Sequence, residues 1–179
     1  MTRFHLFAFL IPLALLQPAR AAEKEGTAED RAAINKLLES ARKAYNDHDA
    51  RAWSLIFHSD AELTNVIGWT FHGRQEIEPY FQRLFAPQRH PKLPSFQKAV
   101  VKPDGAPQIR FLRPDVASVR YAWTQSGATG LKDEVLPPRS MLVTLHVTKE
   151  NGVWGIASYH NMDLRAGQPR EVPAELKQP

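Results

Sequence analysis

The chain is predicted to be α+β, a cone-shaped curved antiparallel or mixed sheet wrapped around three N-terminal helices. Three observations carry this. Apolar residues recur at three-and-four spacing in two stretches before residue 86, they alternate with a two-residue period through most of the second half, and Asn151-Gly152 separates the last two alternating runs. Asn and Gly tolerate the positive φ that a two-residue hairpin turn requires, so those last runs are expected to pair antiparallel. Helices first and antiparallel strands after make a layered domain with one core.

Taken in order, the first 21 residues read as a secretory leader: Arg3, an apolar run from Leu6 to Leu16, and a small-residue cleavage site at Ala19-Arg20-Ala21. The run is about half the ~20 residues that a membrane span needs. The mature chain is expected to begin at Ala22, flexible to residue 28, and to be exported to the periplasm with no membrane attachment. Between Thr27 and Tyr45, Ile34, Leu37, Leu38, Ala41 and Tyr45 mark one buried helix face, and Thr27 with Asp30 fits a capping box. Asp49 then caps a short helix carrying Trp53, Ile56 and Phe57. A strand follows over Asp60 to Gly68, and Gly73-Arg74 opens a third helix with Ile77, Tyr80, Phe81, Leu84 and Phe85 on one face, stopped by Pro87 and Pro91. Asn65 stands where two helices and the sheet converge, and a cavity is expected there.

The runs from Ser95 to Lys102, Ile109 to Leu112, Asp115 to Gln125, Ser140 to Thr148 and Val153 to Met162 read as strands, with breaks at 103–107 and 126–138. The domain is expected to end at Leu164, followed by a loose tail over 165–179. A two-residue turn at Asn151-Gly152 pairs Lys149 with Trp154, Val147 with Ile156, Leu145 with Ser158 and Val143 with His160. Strict alternation then places Val143, Leu145, Val147, Trp154, Ile156 and His160 on one face, with His160 ending an apolar stripe. Thr144, His146, Thr148, Ala157 and Tyr159 fall on the outer face, where a homodimer is expected to form.

Composition excludes several functions. The leader holds two of the 23 basic residues, which leaves the mature charge close to balance against 19 acidic ones, and the basic residues form no run. No nucleic-acid partner is expected. There is no cysteine for disulfide or thiol chemistry. His48, His58, His72, His90, His146 and His160 show no ligand spacing on a helix or strand, so no metal is expected. Ser158 has no Gly-x-Ser-x-Gly elbow around it. About 158 mature residues make one domain.

Five motifs carry a family resemblance: Tyr45-Asn46-Asp47-His48-Asp49, Asp60 to Gly68, Gly73-Arg74, Arg110-Phe111-Leu112-Arg113-Pro114-Asp115-Val116-Ala117, and Gly152-Val153-Trp154 running to His160-Asn161. In this order they resemble the nuclear-transport-factor-2-like (SnoaL-like) superfamily over Glu29 to Leu164, with the SgcJ/EcaC group, often labelled oxidoreductase, as the nearest likeness. The resemblance implies the cystatin-like cone. Where ketosteroid isomerase has a proton-moving aspartate, this chain has Asn65, which does not titrate. No Gly-x-Gly-x-x-Gly segment follows a strand, and no cofactor is implied.

His160 and Asn65 are the candidates for chemistry, the imidazole as acid-base residue and the amide as polariser of a carbonyl or hydroxyl group. Tyr45, Trp69, Tyr80, Phe81, Trp123 and Trp154 are the candidate ligand-binding residues, suited to a flat aromatic or lipid-like molecule. Arg74 is expected to hold an acidic ligand group or a salt bridge. Two functions follow: an exported small-molecule-binding domain, or a small isomerase, lyase or oxidoreductase acting on an apolar carbonyl compound.

Overall fold

The computed structural model describes residues 26–88 and 90–165, so the expected leader and nearly all of the expected loose tail lie outside the described residues. The element order is α1 (Ala28–Asn46), α2 (Ala50–Leu55), β1 (Phe57–Thr64), β2 (Thr70–His72), α3 (Arg74–Phe85), β3 (Val100–Arg113), β4 (Val116–Ser126), β5 (Arg139–Glu150) and β6 (Val153–Asp163). Two helices precede the sheet, and the third follows its first two strands. The six strands form one sheet in the order β2-β1-β6-β5-β4-β3, in which only the β1–β6 pair is parallel.

Helix α1 begins where the capping box places it. The Thr27 hydroxyl accepts from the Asp30 backbone N–H at 3.1 Å, while the Asp30 carboxylate accepts from the Thr27 N–H. The same carboxylate, 7% exposed, accepts from the Lys149 ammonium at 2.7 Å and from the Trp154 indole N–H at 2.9 Å. One side chain thus caps a helix and ties it to the β5–β6 hairpin. These bonds favour the charged form and hold the Asp30 carboxyl down at about 2, against an ordinary value of 3.8.

At its other end α1 is tied to β3. The Asn46 amide exchanges two hydrogen bonds with the Val101 backbone, at 3.1 and 2.8 Å, in place of a neighbouring strand. His48, at φ 56°, reaches the Ala99 carbonyl at 2.8 Å, and Asp49 caps α2 by accepting from the Ala52 N–H at 2.8 Å. Gly73 starts α3 at φ 70°, with the Ser59 carbonyl oxygen 2.7 Å from where a Cβ would stand, so any other residue there meets both strain and a clash. Arg74 beside it donates to the Phe57 carbonyl at 2.7 Å, which gives it a structural role at the start of β1.

Strand ends shift, with β1 over Phe57–Thr64 in place of Asp60 to Gly68 and β3 starting only at Val100 in place of Ser95, and two larger expectations change in the sheet. The break at 103–107 lies inside the single strand β3, whose register shifts between Asp104 and Gln108. Because β3 is an edge strand, Pro103 and Pro107 have no partner strand on one side to deprive of an N–H donor. The second change is in the last hairpin. Lys149 pairs with Trp154 and Val147 with Ile156 as expected, but beyond them His146 pairs with Ser158, Leu145 with Tyr159, Thr144 with His160 and Val143 with Asn161. Ala157 is an extra residue, and a bulge of this kind reverses the face of every side chain beyond it.

Replacing Asp30 with Ala removes the carboxylate half of the capping box and leaves the buried Trp154 N–H without an acceptor. The expected loss is about 2–4 kcal/mol in urea unfolding. A carboxylate held down in the folded state stabilises above its ordinary range and loses that contribution as pH falls from about 4 towards 2. Acid unfolding of the wild type should therefore be steeper across that window than that of Asp30→Asn.

Candidate functional site

The sheet curls around a cavity of about 360 Å³ on the side covered by the helices. Tyr45 of α1 and Trp53 of α2 meet edge to face at 5.6 Å between ring centres, and Trp123 of β4 lies 5.6 Å from Tyr45. Phe81 and Tyr80 of α3 and Tyr159 of β6 continue the wall. The rim carries Ile67, Trp69 and Leu131, each about half exposed or more, which marks an apolar mouth.

Asn65 sits just past β1 and organises that mouth. Its side-chain oxygen accepts from the Ile67 N–H at 3.1 Å and the Trp69 N–H at 2.9 Å, closing the turn that presents Trp69, while its NH₂ donates to the Tyr80 hydroxyl at 3.2 Å. Tyr80 in turn stacks on Phe71 at 4.3 Å. A second polar chain crosses the other wall. The Arg139 Nε donates to the Gln125 side-chain oxygen at 3.1 Å, and the Gln125 NH₂ donates to the Tyr45 hydroxyl oxygen. Gln125 is 3% exposed and Tyr45 is buried, so this chain is fixed inside the protein up to the partly exposed Arg139.

A family model for the SnoaL-like domain matches residues 26–160. The chain belongs to this family. Among curated proteins no sequence matches it. Solved structures share the fold at low identity. An uncharacterized protein with a cystatin-like fold from Caulobacter vibrioides is 20% identical with a TM-score of 0.68, covering 78% of this chain and 92% of its own. A ketosteroid isomerase-like protein from Erwinia carotovora atroseptica is 18% identical, TM-score 0.63, with 78% and 99% covered. A type 2 hexachlorocyclohexane dehydrochlorinase is 16% identical, TM-score 0.64, with 82% and 95% covered.

In this SnoaL-like domain Tyr45, Asn65, Trp69, Tyr80, Phe81 and Trp123 all line the cavity. His160 and Trp154 do not. His160 is exposed on the outer face, 3.0 Å from the Ser158 hydroxyl, because the bulge at Ala157 turns it away from the interior. It pairs with Thr64, the residue before Asn65, so imidazole and amide lie on opposite sides of the sheet. Tyr159, expected outside, is buried in the cavity wall for the same reason. Trp154 precedes the bulge and points inward, but towards α1, where it bonds Asp30 and packs against Phe111.

Sequence reasoning missed Trp53, Gln125, Arg139, Met141, Tyr159 and Asn161 as lining residues. The signal for the last two was a change of phase: Trp154 and Ile156 are apolar at even positions, whereas in Ser158-Tyr159-His160 the apolar residue is odd. Gln125 and Arg139 carried no local signal, since they meet only through the β4–β5 pairing.

The chemistry of the cavity follows from its lining. No Asp, Glu or His is among the lining residues described. Its phenols stay protonated and offer no base either: burial pushes Tyr45, Tyr80 and Tyr159 above their ordinary value of 10.0, against smaller downward pulls from the hydrogen bonds of Gln125 to Tyr45 and Asn65 to Tyr80 and from the Arg139 guanidinium. These groups stay neutral and serve as hydrogen-bond donors or acceptors. Three buried polar atoms on lining residues, the indole N–H groups of Trp53 and Trp123 and the side-chain oxygen of Asn161, have no partner among the described residues. No group of three or more His, Asp or Glu side chains among the described residues is placed to hold a metal.

Burial also raises Tyr121, so all four tyrosines are shifted the same way. A phenol raised in the folded state stabilises below its ordinary value and loses that contribution as pH rises past 10. Ultraviolet titration should show tyrosinate appearing only together with alkaline unfolding. Asn65→Asp keeps the turn acceptor and loses the donor to Tyr80, and is expected to stay within ~1 kcal/mol of wild type, whereas Asn65→Ala loses ~1–2 kcal/mol; urea melts of the pair distinguish the two contributions.

Proposed function

We propose that this is a small-molecule-binding domain whose ligand is an aromatic or lipid-like compound held in the Asn65–Tyr45 cavity. The observation that carries this reading is the composition of the lining. Aromatic and aliphatic walls with a few fixed polar groups are the usual form of a ligand site, and its volume falls within the ordinary range for such sites. The alternative of an isomerase or lyase with His160 as acid-base residue lacks geometric support, since that imidazole is outside and the inner lining offers no carboxylate or imidazole to take a proton.

The apolar run from Leu6 to Leu16 and the Ala19-Arg20-Ala21 site support export to the periplasm as part of this proposal. Placement within the SgcJ/EcaC group belongs to it too, on the five motifs in order. So does a homodimer through the outer sheet face, which carries Thr144, His146, Ser158 and His160 and no longer Tyr159.

Native mass spectrometry of protein purified from an exporting host reads ligand mass and subunit count together. The expected result is a retained small molecule in a dimer. With recombinant protein, 1-naphthol should quench tryptophan emission saturably at one site per chain, and Leu136→Trp, which fills the cavity from its half-buried rim, should abolish the quench while leaving the melting temperature within a few degrees. Quenching that persists unchanged in Leu136→Trp places the ligand elsewhere.

A further inference from the structure

The charged residues of the cavity are all of one sign. Its described lining contains Lys92 and Arg139 and no carboxylate. We propose that the cavity selects an organic carboxylate, with the acid group on the Arg139 guanidinium and the apolar body between Tyr45, Trp53 and Trp123. This rests on the binding reading of the same cavity and adds to it the charge of the ligand.

The guanidinium is held for such a role. Arg139 is the first residue of β5 and pairs with Gln125 across the β4–β5 ladder, so its backbone is fixed by the sheet. The bond from Nε to the buried Gln125 oxygen, 3.1 Å long, sets the plane of the fork, and Gln125 is itself anchored on the Tyr45 hydroxyl. Asp163 pairs with Nη1 at 3.7 Å, with the Arg139 side chain 36% and the Asp163 side chain 49% exposed. A single contact of that kind, open to solvent, is weak and leaves most of the positive charge for a guest. Lys92 adds a second cation at the exposed rim.

The guanidinium stands partly in solvent and partly against the apolar walls of the cavity. An apolar cavity lined by one sign of charge focuses its field on whatever enters, and a planar guanidinium matches a carboxylate with two parallel hydrogen bonds. The Tyr45 hydroxyl is a further donor next to the same amide: its oxygen accepts from Gln125, so its own proton is free for a ligand oxygen. An uncharged alcohol of the same shape meets the same walls but can take only a single neutral-acceptor hydrogen bond from the guanidinium, without the charge or the paired bonds.

The test compares 2-naphthoate with 2-naphthylmethanol, and decanoate with decanol, by tryptophan quenching of the full mature chain. The acid of each pair should bind at least tenfold tighter than its alcohol at low salt, and that advantage should shrink as salt is added. Arg139→Gln should erase the advantage while leaving alcohol affinity within about twofold, and Arg139→Lys, which keeps the charge and loses the fork, should retain part of it. Thermal melts establish that both variants are folded. Equal affinity for acid and alcohol, or an advantage that survives in Arg139→Gln, overturns the carboxylate assignment and leaves the binding reading intact. If neither acids nor alcohols bind, the binding reading fails and this assignment fails with it.

Discussion

What the cavity presents to a guest depends on one residue of excess length in β6. Ala157 has no opposite number on β5, and past it the strand shows its odd-numbered side chains to the interior. Tyr159 and Asn161 close the wall as a result, while Ser158 and His160 go to the outer face. Had the strand run without the bulge, an imidazole would face inward and a tyrosine outward, and the cavity would contain a group that titrates near neutral pH. The bulge therefore decides the chemistry of the site as well as its shape.

The ties that hold the cone open lie at its ends, away from the lining. Asp30 joins the start of α1 to the β5–β6 hairpin, and Asn46 with His48 joins its end to the start of β3. With the helix held at both ends by polar contacts, the middle of the domain need not be packed solid to keep α1 in place. Stability is supplied by the rest of the core, where Ile34, Ile77, Val143, Leu145 and Val147 are fully buried. This separates the residues that hold the fold from those that line the cavity, with Tyr45 as the one member of α1 that serves both.

The layout of the fold was legible in the sequence because it rests on local signals. The Thr27–Asp30 capping box, the Asp49 cap, the glycine at the start of α3 and the Asn151-Gly152 turn each act over a few residues, and each stands where it was expected. The inner or outer facing of the last strand was not legible in the same way. It depends on a register that accumulates from the turn, and a single inserted residue inverts it. Asn65 was found because it stands in a short, well-marked run, expected as a strand to Gly68 though β1 ends at Thr64, whereas Arg139 and Gln125 become neighbours only once β4 and β5 pair, across 14 residues of chain. Trp154 shows a further limit: alternation gave its face correctly, but whether an inward side chain meets a cavity or a helix is settled by where along the sheet the helix lies.

The unpartnered polar atoms bear on whether the cavity is a packing defect or a built feature. Indole N–H groups buried without an acceptor cost free energy, of order 1–3 kcal/mol each, and phenylalanine in place of Trp53 or Trp123 would remove that cost at small loss of apolar area. A cavity retained only by imperfect packing would be expected to show apolar walls, since those leave nothing unsatisfied. Here the residues that line the open space carry two indole donors and one amide acceptor without protein partners, all enclosed within the walls, and a fixed amide-to-phenol chain. Walls that carry this many fixed polar groups are not what imperfect packing alone would leave, which favours a built feature.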